Sequence, residues 1–326
     1  EAAKCFNKVI EIRPNFAETH NNLGMVLSQL GKLQKAEASF EQAIKLKPNY
    51  ADAYSNLGMI YKEFGRANQA MKSFKMAIEL EPQLAVAHTN LCTIQYLNQD
   101  YVSALKTITD ANAINPKSKS IRLLFKVLTA KNYNSGVINN CISIDSYPGS
   151  RLTSNPLILN REVEPELIEA LYDMKALDLD KIRDPSYGNA KGSGFDLFEY
   201  NNTAINSVEE DISRILKESL KTDIYIEDSF YTILGAGGGL NSHNHITQLD
   251  QDPAFNLSNQ KYSLVYYLDV GDQDCTDPGI LKLYDPIENV LPLKEMIIIF
   301  PSDRYHSVIY NGKKDRVIIG INFYCL

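Results

Sequence analysis

Three of the five histidines in this 326-residue chain fall where they could act together: His243, His245 and His306. The first two lie two apart in GLNSHNHITQLD, residues 239–250, and Asp250 follows five residues after His245. Neutral imidazole offers a lone pair that suits iron, zinc, copper or nickel, and a mononuclear centre needs about three convergent ligands with positions left open. If the stretch is a strand, residues i and i+2 project to one face, so both rings aim the same way. His306 follows EMIIIFPSDRY, which reads as a buried strand stopped at Pro301. Arg316 comes ten residues later and opens RVIIGINFY. The letters HNH do not make a nuclease, whose motif is dispersed over a longer stretch. A net charge of -7 also argues against a phosphate-backbone partner. Nor is GAGGG, Gly235–Gly239, a phosphate loop, because no helical period follows it to supply an N-terminal dipole. A bend or bulge leading into the histidines is expected there.

The elements that must position these residues read as strands. From Asn134 onward only 164–175 and 207–220 have a helical apolar period. IRDPSYGNAKGSGFDLFEY is rich in turn formers and reads as a loop as far as FDLF. DIYIEDSFYTIL, YSLVYYLDV, GILKLYDP, EMIIIFP, HSVIY and RVIIGINFY are short, rich in Ile, Val, Tyr and Phe, and divided by Gly, Pro, Asp or Asn. Strands this short and close imply a sandwich or barrel, whose mouth is a natural seat for a metal. Tyr231, Tyr262, Tyr266 and Tyr267 are expected to be wall residues.

The first third is organised differently. Pro14, Pro48, Pro82 and Pro116 recur at a step of 34. In the same register Ala36, Ala70 and Ala104 align, as do Phe40, Phe74 and Ile108, and Ala43, Ala77 and Ala111. His20, Tyr54 and His88 precede Leu23-Gly24, Leu57-Gly58 and Leu91-Cys92. This resembles the tetratricopeptide repeat: small residues where helices cross, large ones filling the seam, and a proline that ends each second helix. Residues 1–15 read as the second helix of a preceding repeat and 118–133 as a closing helix. His20 and His88 are expected to pack at repeat interfaces. The resemblance implies a superhelix whose concave face, over residues 17–118, takes an extended peptide.

The order His-x-His, a long interval, His, then Arg resembles the Fe(II)/2-oxoglutarate dioxygenases of the double-stranded β-helix fold. The likeness is to those oxygenases that carry HxH in place of HxD. Gly237, YYLDV, GILKLYDP, IIIFPSDRYHSV, RVIIGINF and the upstream DPSYGNAKGSGFDLF take part in it, over roughly residues 155–326. The resemblance implies Fe(II) on His243, His245 and His306, and 2-oxoglutarate held through its distal carboxylate by Arg316. Its substrate would be a peptide or protein recruited by the repeats. The cupin signature matches the same residues with Asp250 as a fourth ligand and Asp303 where that pattern has glycine. On that reading Arg316 needs no cosubstrate. A third reading makes the repeats the functional part and the barrel a degenerate scaffold.

The whole chain is then expected to be an α + β multidomain protein. Residues 1–133 form an all-α tetratricopeptide superhelix, and 134–326 a double-stranded β-helix of the jelly-roll or cupin-like kind with flanking helices. Residues 1–117 carry +2 and the remainder -9. Five scattered cysteines, Cys5, Cys92, Cys141, Cys275 and Cys325, without a CxxC pair, argue for a reducing, cytoplasmic setting. No apolar run is long enough to span a bilayer. The start at EAAKCFNKVI reads as a cut within a larger protein, and a homo-oligomer is compatible with the pattern.

Overall fold

The computed structural model describes residues 2–135, 155–182, 187–247 and 249–326. Cys141 and part of the DPSYGNAKGSGFDLF stretch lie outside the described residues. The chain divides into two compact units, Glu1–Ile138 and Asn139–Leu326.

The first unit is built from helices α1 (Ala2–Ile12), α2 (Ala17–Gln29), α3 (Leu33–Leu46), α4 (Ala51–Glu63), α5 (Ala67–Leu80), α6 (Ala85–Leu97), α7 (Tyr101–Ile114) and α8 (Lys119–Ser135). Helices α2 to α7 form three hairpins at the 34-residue step. The six periodic alanines are 0% exposed, which shows why nothing larger stands at the crossings. Gly24 and Gly58 bring the backbone against an aromatic ring: a Cβ would lie 2.6 Å from Phe40 and 2.8 Å from Phe74. The third repeat solves the same contact otherwise. Cys92 replaces glycine, Ile108 replaces the ring, and the thiol approaches the Ala104 carbonyl at 3.5 Å. Each hairpin turn has one residue at positive φ, Gly31, Gly65 and then Gln99. His20 and His88 direct Nε2 at the carbonyls of Pro14 (2.9 Å) and Pro82 (2.8 Å), so each clips its helix to the inter-repeat proline.

Among the described residues the second unit holds α9 (Pro165–Asp173), α10 (Leu179–Ile182), α11 (Thr203–Leu220) and eleven strands. These are β1 (Leu157–Asn160), β2 (Leu177–Asp178), β3 (Ala190–Gly192), β4 (Ile224–Leu234), β5 (Gly238–His243), β6 (Lys261–Asp269), β7 (Leu281–Leu283), β8 (Glu288–Val290), β9 (Met296–Pro301), β10 (His306–Tyr310) and β11 (Arg316–Cys325). They make a seven-stranded sheet, β1-β9-β6-β11-β4-β3-β2, and a four-stranded sheet, β5-β10-β7-β8. All strand pairs are antiparallel. From β4 to β11 the chain changes sheet at each connection except the β7–β8 hairpin. That winding is the double-stranded β-helix.

Period-2 alternation sorts the side chains of the large sheet. Leu264, Tyr266, Ile297, Ile299, Val317, Ile319 and Ile321 face outward, where Leu167 and Leu171 of α9 and Val208, Ile212 and Leu216 of α11 cover them. Tyr267, Ile298 and Phe300 belong to a second core with Leu281 and Leu283 of the small sheet. In the YYLDV strand one tyrosine thus faces the helices and its neighbour the lumen.

Three local expectations needed correction. The helix expected at 207–220 begins at Thr203, because the Asn202 side chain accepts from the N–H groups of Ala204 and Ile205 and caps it there. The loop expected before FDLF contains β3. The glycine run makes the expected bend at 236–237, where Gly237 takes a positive φ, but Gly238 and Gly239 are already strand residues of β5. At Gly239 a Cβ would lie 2.5 Å from the Val308 carbonyl, so glycine there permits a close strand–strand approach that a β-propensity scan misses.

Candidate metal centre

The small sheet brings His243 and His306 together. His243 ends β5, His306 begins β10, and the two are direct partners in the antiparallel ladder. Their ring centroids are 4.2 Å apart. His245 completes the group, with centroids 4.8 Å from His243 and 5.0 Å from His306. One ligand atom from each of the three lies within 4.8 Å of the others. A divalent ion at about 2.0–2.1 Å from each nitrogen would need only a small closure of this group. Among the described residues these three histidines are the one such cluster.

His245 is not held as the i and i+2 argument supposed. Strand β5 stops at His243, and His245 sits on irregular backbone. Its N–H donates to the Ser302 carbonyl at 3.0 Å, which turns the loop toward the end of β9. The two strand-borne rings have their tautomers set by backbone. Nδ1 of His243 lies 3.0 Å from the Asn241 carbonyl, and Nδ1 of His306 lies 3.3 Å from that of Arg304. A carbonyl can only accept, so each Nδ1 carries the proton and Nε2 keeps its lone pair. Burial lowers the His243 pKa. Burial and the neighbouring His243 push His306 down to about 3, so it stays neutral at physiological pH. Phe300 packs against the His306 ring at 4.9 Å.

Asp250 stays outside the histidine cluster, contrary to the cupin-like alternative. Its side chain is 0% exposed and fully engaged. One oxygen accepts from the Thr247 N–H (2.7 Å), the Thr247 hydroxyl (2.8 Å) and Lys261 Nζ (2.9 Å). The other accepts from the Tyr324 hydroxyl at 2.6 Å. Held by these four donors, Asp250 is not part of the group of ligand atoms that the three histidines bring together. Sequence spacing could not show this, because Lys261 and Tyr324 are remote in the chain.

Arg316 is 0% exposed. Nε donates to the Val270 carbonyl at 3.2 Å, and the two η nitrogens donate to Gly279 and Pro278 carbonyls at 2.5 Å each. The guanidinium lies over the rings of Tyr310 at 4.7 Å and Tyr267 at 5.9 Å. Tyr310 closes β10, so Arg316 stands toward the other end of that strand from His306. Four residues of strand span about 13 Å. No carboxylate forms an ion pair with Arg316 among the described residues, and each η nitrogen keeps a second N–H. A buried cation held by carbonyl dipoles and ring faces, with Asp269 acting on it only from beyond ion-pair distance, suits an anion. Tyr310 and Tyr267 flank Arg316, so two tyrosines that spacing alone could not single out belong to its surroundings.

No helix of the described residues is long and apolar enough to cross a membrane. Cys5, Cys92, Cys275 and Cys325 are free thiols. Comparison with known proteins bears on the first unit. Residues 17–50 match a family model described as tetratricopeptide repeat, and residues 39–72 match a second model of the same description. Among solved structures the chain is similar to YrrB, a tetratricopeptide protein with an unusual peptide-binding site, at 24% identity. That match covers 40% of this chain and 67% of YrrB, with a TM-score of 0.36. It is also similar to MamA, at 20% identity over 41% of this chain and 88% of MamA, with a TM-score of 0.35. No curated protein matches the chain. The part of the N-terminal unit that these models match, residues 17–72, is thus tetratricopeptide repeat.

Proposed function

We propose that the β unit is a mononuclear metalloenzyme, an Fe(II)/2-oxoglutarate-dependent dioxygenase acting on a peptide or protein that the repeats recruit. The observation that supports it most is the convergence of three imidazoles on one point. Two of them have Nδ1 capped by backbone carbonyls, so Nε2 is left as the ligand atom. Imidazoles bring no negative charge, so a divalent ion on three of them keeps its charge and favours an anionic chelator. Arg316, buried without an acid partner, would receive the distal carboxylate of a dicarboxylic cosubstrate through its remaining N–H groups. Fe(II) with 2-oxoglutarate supplies, when bound, the oxidation of an unreactive C–H bond. The protein's part is to orient these groups and exclude water: Phe300 and the packed lumen behind His306 keep that side dry. The cupin-type reading is less favoured because Asp250 is already committed.

Succinate release tests the reading. Purified protein with Fe(II), 2-oxoglutarate and oxygen should form succinate, slowly alone and faster with a peptide substrate. His306→Ala should abolish it. Arg316→Lys keeps the charge but loses the fork, and should raise KM for 2-oxoglutarate about tenfold or more with a smaller effect on kcat. Equal succinate from wild type and His306→Ala would defeat the proposal. Turnover that ignores Arg316 would point to an enzyme without this cosubstrate.

A further inference from the structure

The three histidines are held by unequal means. His243 and His306 are ladder partners on β5 and β10, and His306 is also paired with Leu283 of β7. His245 lies beyond the end of β5 and has no ladder of its own. Its backbone is tied at 3.0 Å to Ser302, whose N–H in turn donates to the Lys261 carbonyl at 3.0 Å. Two residues after His245, Thr247 gives both its N–H and its hydroxyl to Asp250. Asp250 is anchored inside the barrel by Lys261 Nζ and by the Tyr324 hydroxyl. Lys261, 1% exposed, also pairs with Glu227 at 2.7 Å. The loop that carries His245 is therefore fastened on both sides to β6. The backbone of Lys261 holds it through Ser302, and the side chain of Lys261 holds it through Asp250.

Such a network is an unusual thing to bury. Three ionisable groups, Asp250, Lys261 and Glu227, leave most of their water, and buried ion pairs are often no more stable than apolar residues of the same volume. What it supplies is geometry: an acceptor that fixes two donors of one residue and is itself immobile. We infer that Asp250 and Lys261 are positioning residues for the metal centre, setting where His245 stands relative to the strand-held pair. This rests on the proposed metal centre. Asp250 acts through Thr247 and the loop, never on the ion. The arrangement also explains why a carboxylate sits near an HxH pair without completing it.

The test is a double-mutant cycle read by Co(II) binding to the full chain, by calorimetry and by visible absorption, with no cosubstrate added. Asp250→Asn should lower Co(II) affinity about tenfold and move the Co(II) bands toward those of His245→Ala, the scale seen when residues that orient ligands are lost. In the His245→Ala background the same change should have no further effect on affinity. A merely structural role would weaken both backgrounds alike, and that result would overturn the inference, as would wild-type affinity in Asp250→Asn. Thr247→Val, on an exposed loop residue, should reproduce the effect in weaker form, and it serves as the deciding variant if Asp250→Asn does not fold. If the wild type binds no Co(II), or His243→Ala binds as wild type, the metal reading itself falls. If those controls hold and the cycle shows no coupling, only the positioning role falls.

Discussion

At the scale of single residues, the decisive information was which polar atoms were already spent. The positions of His243, His306 and Arg316 at strand ends were legible in sequence, because turn formers mark where the apolar strands stop and start. Asp250 was not, since its partners Lys261 and Tyr324 come from strands that only the fold brings to it. Glu227 shows a related effect. Burial holds its carboxyl above the usual glutamate value, although Lys261 opposes this. A group that binds its proton more tightly when folded contributes stability below its unfolded value and loses it as pH rises through the folded one. Glu227→Gln should therefore flatten the decline in unfolding free energy as pH is raised from 4.5 upward. Urea titrations at several pH values check this. A slope equal to that of wild type would mean that Glu227 titrates as it does in the unfolded chain.

At the scale of elements, the repeat helices and the long strands were readable, because periods of 34, 3.6 and 2 residues are set by geometry that local sequence must obey. The short strands β1, β2, β3 and β8 were not. With two to four residues each, they exist because a neighbouring edge offers hydrogen bonds, and their own side chains carry no pattern. The start of β5 was missed for another reason, as glycine disguised the part of the strand whose backbone must approach β10 closely. The glycine–aromatic contact in the repeats gives a prediction at this level. Gly58→Ala puts a methyl against Phe74 and should destabilise the chain by about 1–3 kcal/mol. Adding Phe74→Ile, which copies the pairing of Cys92 with Ile108, should recover part of that loss. Thermal melts of the single and double variants decide it: additive losses would show that ring and methyl do not compete for the same space.

At the scale of the whole molecule, the chain joins a repeat array to a barrel, and the two owe their stability to different things. The array depends on neighbour-to-neighbour packing of small residues. The barrel depends on two apolar layers and on buried polar fastenings such as Arg161, which binds Glu164, Asp211 and Tyr266 and so ties α9 and α11 to β6. Scanning calorimetry of the full chain should therefore resolve two transitions. Co(II) at a hundredfold excess over its Kd should stabilise one of them by about 2.7 kcal/mol and leave the other in place. A single transition, or equal shifts in both, would contradict this division.

The pairing of His243 with His306 has a further consequence. The residues are 63 apart in sequence, yet they occupy facing positions on β5 and β10, and β5 is the margin of its sheet. An ion shared between them is a rivet at that margin. It would hold the outermost strand of the small sheet to its inner neighbour at the end where their ladder is interrupted. Chelation would then loosen β5 first, and limited proteolysis should cut near residues 238–243 sooner in stripped protein than in loaded protein. The same three rings would set the chemistry and guard the seam of the barrel that contains it.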